Sequence, residues 1–143
     1  ALKMAQKNAK KHEVEINFLH GDLLSPFFTN LQLTTFSFQT IIITANLPYL
    51  KEDWWRSELS IQYEPKLALV SDNETGLKLY EKLLKQISDL KKLLNIKYWI
   101  FLEIDPRQTT AIFHLVQKHL LEADVEILKD LSGFDRVVKI KIS

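Results

Sequence analysis

Two hydrophobic periods alternate along the chain. Leu2, Ala5 and Ala9 recur at helical spacing with Lys3, Lys7, Lys10 and Lys11 on other faces. Val14, Ile16 and Phe18 then alternate with polar residues over "VEINFLH", which predicts a half-buried strand ending at Gly21-Asp22. Residues 23–39 carry Pro26 and many Ser, Thr and Asn, and read mostly as loop. "TIIITA", 40–45, is β-branched and apolar and reads as a buried strand. It is followed by a turn at Asn46, a short helix near 51–60, a short strand over "KLALV" (66–70) and a polar turn from Asp72 to Gly76. Leu77, Tyr80, Leu83, Leu84, Ile87 and Leu90 form the clearest helical stripe, with lysines opposite. "YWIFLEI", 98–104, is nearly continuous and predicts a strand covered on both faces. Pro106 can open a further helix whose stripe is Ile112, Leu115, Val116 and Leu120. "VEIL" and "RVVKIKI" end the chain as two strands joined through Gly133.

Strands alternating with helices imply βαβ units and a mostly parallel sheet, and the last two strands, joined by a short turn, must be antiparallel. No repeat or linker interrupts the pattern, so residues 1–143 read as one α/β domain. Ligands of such sheets sit at the carboxyl ends of strands. Asp22 and Asn46 both fall at an expected strand end, the first hint of a site.

Composition narrows the function classes. Of 143 residues, 46% are apolar and 26% charged, as in an ordinary globular protein. A net charge of +1 gives no strong field to recruit nucleic acid or an anionic membrane. Without cysteine there is neither a disulfide framework nor a thiolate metal site, and the expected compartment is the cytoplasm. No apolar run is long enough for a membrane span. The chain begins with Ala, directly in a helical pattern, which suggests that it is cut from something longer.

The chemistry concentrates after strand 40–45. The Asn46 side chain carries a carbonyl acceptor and an NH2 donor. Pro48 donates no backbone hydrogen bond, but the carbonyls around it can accept. Tyr49 adds an aromatic face able to stack on a planar amide or base. Such an acceptor cluster suits a reaction on a planar, poorly nucleophilic nitrogen. The plain alternative is a strand-ending turn, since Asn and Pro favour turns for local reasons.

Asn46-Leu47-Pro48-Tyr49 resembles the Asn/Asp-Pro-Pro-Tyr motif of S-adenosylmethionine-dependent amino-methyltransferases. With "HGDLL" before it, and "YEPKLAL", "GLKLYEKLL", "FLEIDPRQ" and "DLSGFDRVVKI" after it, the motif order is similar to that of the glutamine N5-methyltransferases of peptide-chain release factors. The resemblance runs from about residue 1 to 142. It implies a Rossmann-like class I methyltransferase sheet. Asn46 and the backbone of Leu47 and Pro48 would accept from the glutamine NH2, and Tyr49 would pack on the amide. Asp22 would accept from the adenine amino group, Leu23 would line the adenine pocket, and Asn46 would lie beside the cofactor as well. The implied cofactor is S-adenosyl-L-methionine, the implied partner a release factor, and no metal is implied.

The chain departs from the pattern in places. Leu47 stands where the motif has proline, and Asp105 where the family usually has glycine. No glycine precedes Gly21, so the glycine-rich loop, the ribose-binding acid and the first two strands of such a sheet are expected to be missing. The expectation for such a chain alone is weak cofactor binding and no methyl transfer.

Other residues weigh less. Glu64, before Pro65, would support the active-site loop by the same resemblance, and Glu103 at a strand end is as readily structural. Trp54 and Trp55 read as a loop contact that shields solvent before they read as a peptide grip. His114 and His119, five apart on a helix, do not share a face for a metal. His12 and His20 read as surface, and Asp130 to Arg136 as a hairpin with a local ion pair. Two competing functions remain open: an adenine or guanine amino-methyltransferase acting on DNA or RNA, and a non-catalytic binding module of the same fold.

Overall fold

The computed structural model describes residues 1–29, 39–71 and 74–143. The chain divides into two compact units, Ala1–Phe36 and Ser37–Ser143.

In the first unit, α1 spans Leu2–Lys11, with Lys10 and Lys11 in its last turn, where cations complement the helix dipole. Its end is a Schellman turn: Val14 N–H donates to Ala9 O at 3.1 Å and Glu13 N–H to Lys10 O at 3.3 Å. Glu13 takes the left-handed conformation (φ 53°) usually left to glycine. The strand expected over 14–20 does not form; Val14 and Ile16 are exposed. Alternation gives a strand only where a neighbour supplies hydrogen bonds, and none pairs with this segment among the described residues. The loop expected over 23–39 contains a short helix, α2, at Ser25–Thr29. Residues 30–38 lie outside the described ones, as do 72 and 73 of the Asp72–Gly76 turn.

The second unit is built on a four-stranded sheet. Its strands are β1 (Thr40–Ala45), β2 (Lys97–Glu103), β3 (Asp124–Lys129) and β4 (Asp135–Ile142), in the order β1-β2-β4-β3. β1 and β2 are parallel; the β2–β4 and β4–β3 pairings are antiparallel, the second as the short connection of the closing hairpin requires. Between β1 and β2 lie α3 (Glu52–Ser57), a 3-10 turn (Leu59–Ile61), α4 (Lys66–Leu69) and α5 (Lys78–Leu93). After β2 come a 3-10 turn (Pro106–Gln108) and α6 (Thr109–His119). This mixed α/β sheet matches a partial Rossmann-like methyltransferase fold.

The strand expected over 66–70 is a single helical turn instead. Pro65 stands at its N-cap, and Lys66, Leu67, Ala68 and Leu69 are all good helix formers. Only Val70 keeps a β contact, an isolated parallel bridge to Leu50.

The core follows from the stripes. Leu77, Tyr80, Leu83, Leu84, Ile87 and Leu90 are buried together with Tyr98, Ile100, Leu102, Val138, Ile140 and Ile142. α5 runs against β2. Tyr80, in its first turn, donates its hydroxyl hydrogen bond to Glu103 O, and the Tyr98 hydroxyl reaches Leu90 O and Leu94 O at the far end. α6 packs beside α5 and buries Ile112, Val116 and Leu120, while Leu115 is only half-buried. The expectation that β2 is covered on both faces holds for one face. Trp99, Phe101 and Glu103 alternate with the buried residues and stay half-exposed, with Lys139 and Lys141 over the Trp99 ring.

Candidate functional site

The parallel register of β1 and β2 builds the centre of the site. Ala45 pairs with Leu102, so Asn46 and Glu103 leave the sheet side by side at its carboxyl edge. Asn46 Nδ2 donates to Glu103 Oε2 at 3.1 Å, and the Tyr49 hydroxyl donates to Glu103 Oε1 at 3.3 Å. Burial pushes the Tyr49 phenol above its ordinary pKa, and the charge of Glu103 pushes the same way.

The loop from Asn46 to Leu50 is held from four directions. Leu47 N–H donates to the Tyr80 hydroxyl at 3.2 Å, so this hydroxyl accepts from the loop while donating to Glu103 O. Leu47 can make this bond because it is not proline; the departure from the motif thus adds a tether. Gln108, 1% exposed, donates from Nε2 to Tyr49 O (2.7 Å) and Thr75 O (2.8 Å), and its Oε1 accepts from Asp105 N–H (3.2 Å). Leu50 N–H donates to Leu69 O, and Leu50 O accepts from Ser71 N–H. Gly76 closes the frame. Its φ is 75°, and a Cβ there would stand 2.1 Å from Tyr49 O, so a side chain has neither the conformation nor the space.

The tethers leave a particular set of groups open. Tyr49 O and Leu50 O are occupied. Asn46 Oδ1, Leu47 O and Pro48 O accept from no donor among the described residues. Asn46 is exposed at a cleft of about 260 Å³ that Thr44, Ala45, Phe101, Glu103 and Val137 also line. The site therefore presents an acceptor cluster beside an aromatic ring, on a backbone fixed from outside.

The next layer is cationic and aromatic. Arg107 stacks 3.7 Å from the Trp54 ring centre and holds Asp105 with two 2.7 Å hydrogen bonds, one from Nε and one from Nη2. The Arg107 bond holds the Asp105 carboxyl below its ordinary range. Asp105 also caps the 3-10 turn at φ −77°, so the loop needs no glycine there. Lys66 lies over Trp55. Asp130 and Arg136 form the expected hairpin ion pair at 3.1 Å, and Arg136 Nη1 also reaches Ile104 O.

Asp22 and Leu23 sit in the first unit. Asp22 ends no strand, contrary to expectation, because the strand before it does not form. It lies in a bend where its N–H donates to Ser25 Oγ at 3.1 Å. Leu23 is half-buried and left-handed at φ 54°. Glu64 is exposed and makes no hydrogen bond to the Asn46 loop among the described residues, so the loop's support comes from elsewhere. That support comes from Tyr80, Glu103 and Gln108 with Gly76; the sequence offers Glu103 as a carboxylate at a strand end, and it gives no role to the other three. Tyr80 reads as one more apolar position in a stripe. A buried Gln after Pro-Arg, and a Gly ahead of a long helix, are the only written signals of the other clamps.

No protein-family model matches the chain. Individual proteins do. Release factor glutamine methyltransferase of Bacillus anthracis is 34% identical over 140 residues, 96% of this chain and 46% of that protein. The protein of that name from Bacillus subtilis is 34% identical over 140 residues, 96% of this chain and 45% of its own length. The one from Staphylococcus aureus is 31% identical over 144 residues, 99% and 48% respectively. The chain thus spans about half the length of the curated relatives it matches. Along nearly all of its residues, the chain is similar to the C-terminal part of release factor glutamine methyltransferases.

Proposed function

We propose that the chain carries the acceptor side of an S-adenosylmethionine-dependent methyltransferase. Its substrate is the side-chain amide nitrogen of a protein glutamine, in the Gly-Gly-Gln loop of a peptide-chain release factor. The observation that carries this reading is the cluster of acceptors Asn46 Oδ1, Leu47 O and Pro48 O, engaged by no donor among the described residues, on a loop fixed by its neighbours. An amide NH2 has two hydrogens to donate, and acceptors of this kind suit it. With both hydrogens engaged and Tyr49 packed on the amide plane, the nitrogen is aimed in one direction. Positioning of this kind contributes up to ~7–11 kcal/mol in well-oriented reactions.

S-adenosylmethionine would supply an electrophilic methyl group. By the resemblance, Asp22 would accept from its adenine amino group, Leu23 would pack on the ring, and Asn46 would border the methyl-bearing end. The names of the relatives support both the reaction and the substrate. Such a substrate is met in the cytoplasm. Among the described residues no helix is long and apolar enough to cross a membrane.

The test uses the full-length protein, a labelled methyl donor, and either release factor or nucleic acid as acceptor. Label on the release-factor glutamine is the expected result. Label confined to DNA or RNA would overturn the reading in favour of a nucleobase amino-methyltransferase, whose exocyclic NH2 suits the same acceptors.

A further inference from the structure

An amide has nearly the same shape in its two orientations, but only one of them offers an acceptor to a substrate NH2. Something must therefore select the orientation of Asn46. Glu103 Oε2 is 3.1 Å from Asn46 Nδ2. An ionised carboxylate accepts only, so the inverted amide would set oxygen against oxygen. The carboxylate is itself anchored. Its other oxygen accepts from Tyr49, its backbone carbonyl accepts from Tyr80, and the residue itself pairs with Val137 of β4. We propose that Glu103 is a positioning residue, which holds the Asn46 amide by Nδ2 and so fixes Oδ1 as the acceptor presented to substrate. The pair does more than orient. A charge-assisted bond on Nδ2 polarises the amide and strengthens Oδ1 as an acceptor. One carboxylate thereby couples the two side chains of the loop, Asn46 and Tyr49, that face the same amide.

The inference rests on the proposed function for its consequence, though not for its geometry, and the two separate in experiment. In the 143-residue chain, the side-chain NH2 resonances of Asn46 should shift and exchange faster in Glu103→Ala and keep most of their protection in Glu103→Gln. Resonances indifferent to both changes would overturn the proposal, whatever the protein methylates. In the full-length protein, Glu103→Ala should lower kcat about tenfold to a hundredfold, the scale of a misplaced reacting group, with the KM for methyl donor unchanged. On an Asn46→Ala background the same change should cost nothing further, because there is no amide left to orient. Equal losses on both backgrounds would place the role of Glu103 elsewhere. Asn46→Asp alone sets two carboxylates against each other. Adding Glu103→Gln restores a donor–acceptor pair of reversed polarity and should recover part of the lost rate. A purely structural Glu103 would instead make the double variant worse than the single. Wild-type protein inactive on glutamine would sink the proposed function and leave the resonance experiment to decide the orientation.

Discussion

The Asn46–Leu50 loop and the Asp22–Ser25 turn are two segments of similar length that follow segments of strand-like sequence, yet they are held in opposite ways. Asn46 and Tyr49 meet Glu103 across 57 and 54 positions of chain, and Gln108 meets Tyr49 across 59. Asp22 N–H meets Ser25 Oγ across three. The loop's geometry belongs to the folded sheet and should be lost with it. The bonds described for the turn, Asp22 N–H to Ser25 Oγ and Ser25 N–H to Asp22 O, are local, and it carries a left-handed Leu23. A site residue that depends on distant partners can be disabled from many places.

Gly76→Ala should strain that contrast most. The left-handed conformation costs a non-glycine residue ~1–2 kcal/mol and forced overpacking another ~1–3 kcal/mol. Gly133→Ala separates the two contributions, because Gly133 is also left-handed (φ 84°) but has nothing within 4 Å of the added Cβ. Denaturant titration should show Gly76→Ala losing clearly more stability than Gly133→Ala; equal losses would mean that the loop yields and is not clamped.

Asn46→Ala comes next. Removal of the one hydrogen bond to Glu103 should cost no more than ~1.5–3 kcal/mol of stability, whereas misdirection of the nitrogen should slow the full-length protein roughly a hundredfold or more. Near-normal turnover would make Asn46 a turn residue, no different in kind from Asp22.

Alkaline titration gives a smaller and directional effect. The Tyr49 phenol is raised in the folded state, chiefly by burial and then by Glu103. Its contribution is therefore fully present below the unfolded tyrosine value of ~10 and is lost as pH rises through the folded one. Ultraviolet titration should show Tyr49 ionising at lower pH in Glu103→Gln than in the wild type; an unmoved transition would uncouple Tyr49 from Glu103.

Ser25→Ala should do least. It removes the side-chain oxygen that accepts from Asp22 N–H, worth ~0.5–1.5 kcal/mol, and hydrogen exchange should quicken at Asp22 while the Asn46 loop is untouched. A change in the loop's exchange rates would show that the turn is less self-contained than its bonds suggest.

The same contrast explains what sequence could show. The α5 stripe, β2 and the closing hairpin follow from periodicity, because each buries apolar positions of its own. β1 follows from its β-branched run, but the expectation that it is buried fails: its residues are half-buried or exposed, Ile42 at 67%. The turn at Asn46 follows from its Asn and Pro, though not the tethers that hold it. "VEINFLH" and "KLALV" did not follow. Alternation cannot say whether a neighbouring strand exists, and four good helix formers after Pro65 outweigh one β-branched Val70. Asn46 and Tyr49 were visible as chemistry. Glu103 was visible only as a charge at a strand end, since its meaning lies in the register of β1 against β2.

The tethers of the Asn46 loop also set a limit on portability. Asn-Leu-Pro-Tyr moved into another protein would arrive without Gly76, Tyr80, Glu103 and Gln108. Its carbonyls would then turn to whatever donors lay nearby. The smallest piece that could be transplanted with its geometry intact runs from β1 through Gln108: two parallel strands, the helix that crosses between them, and the turn that follows. For protein engineering the tetrapeptide is a label, and the unit of exchange is the whole crossover.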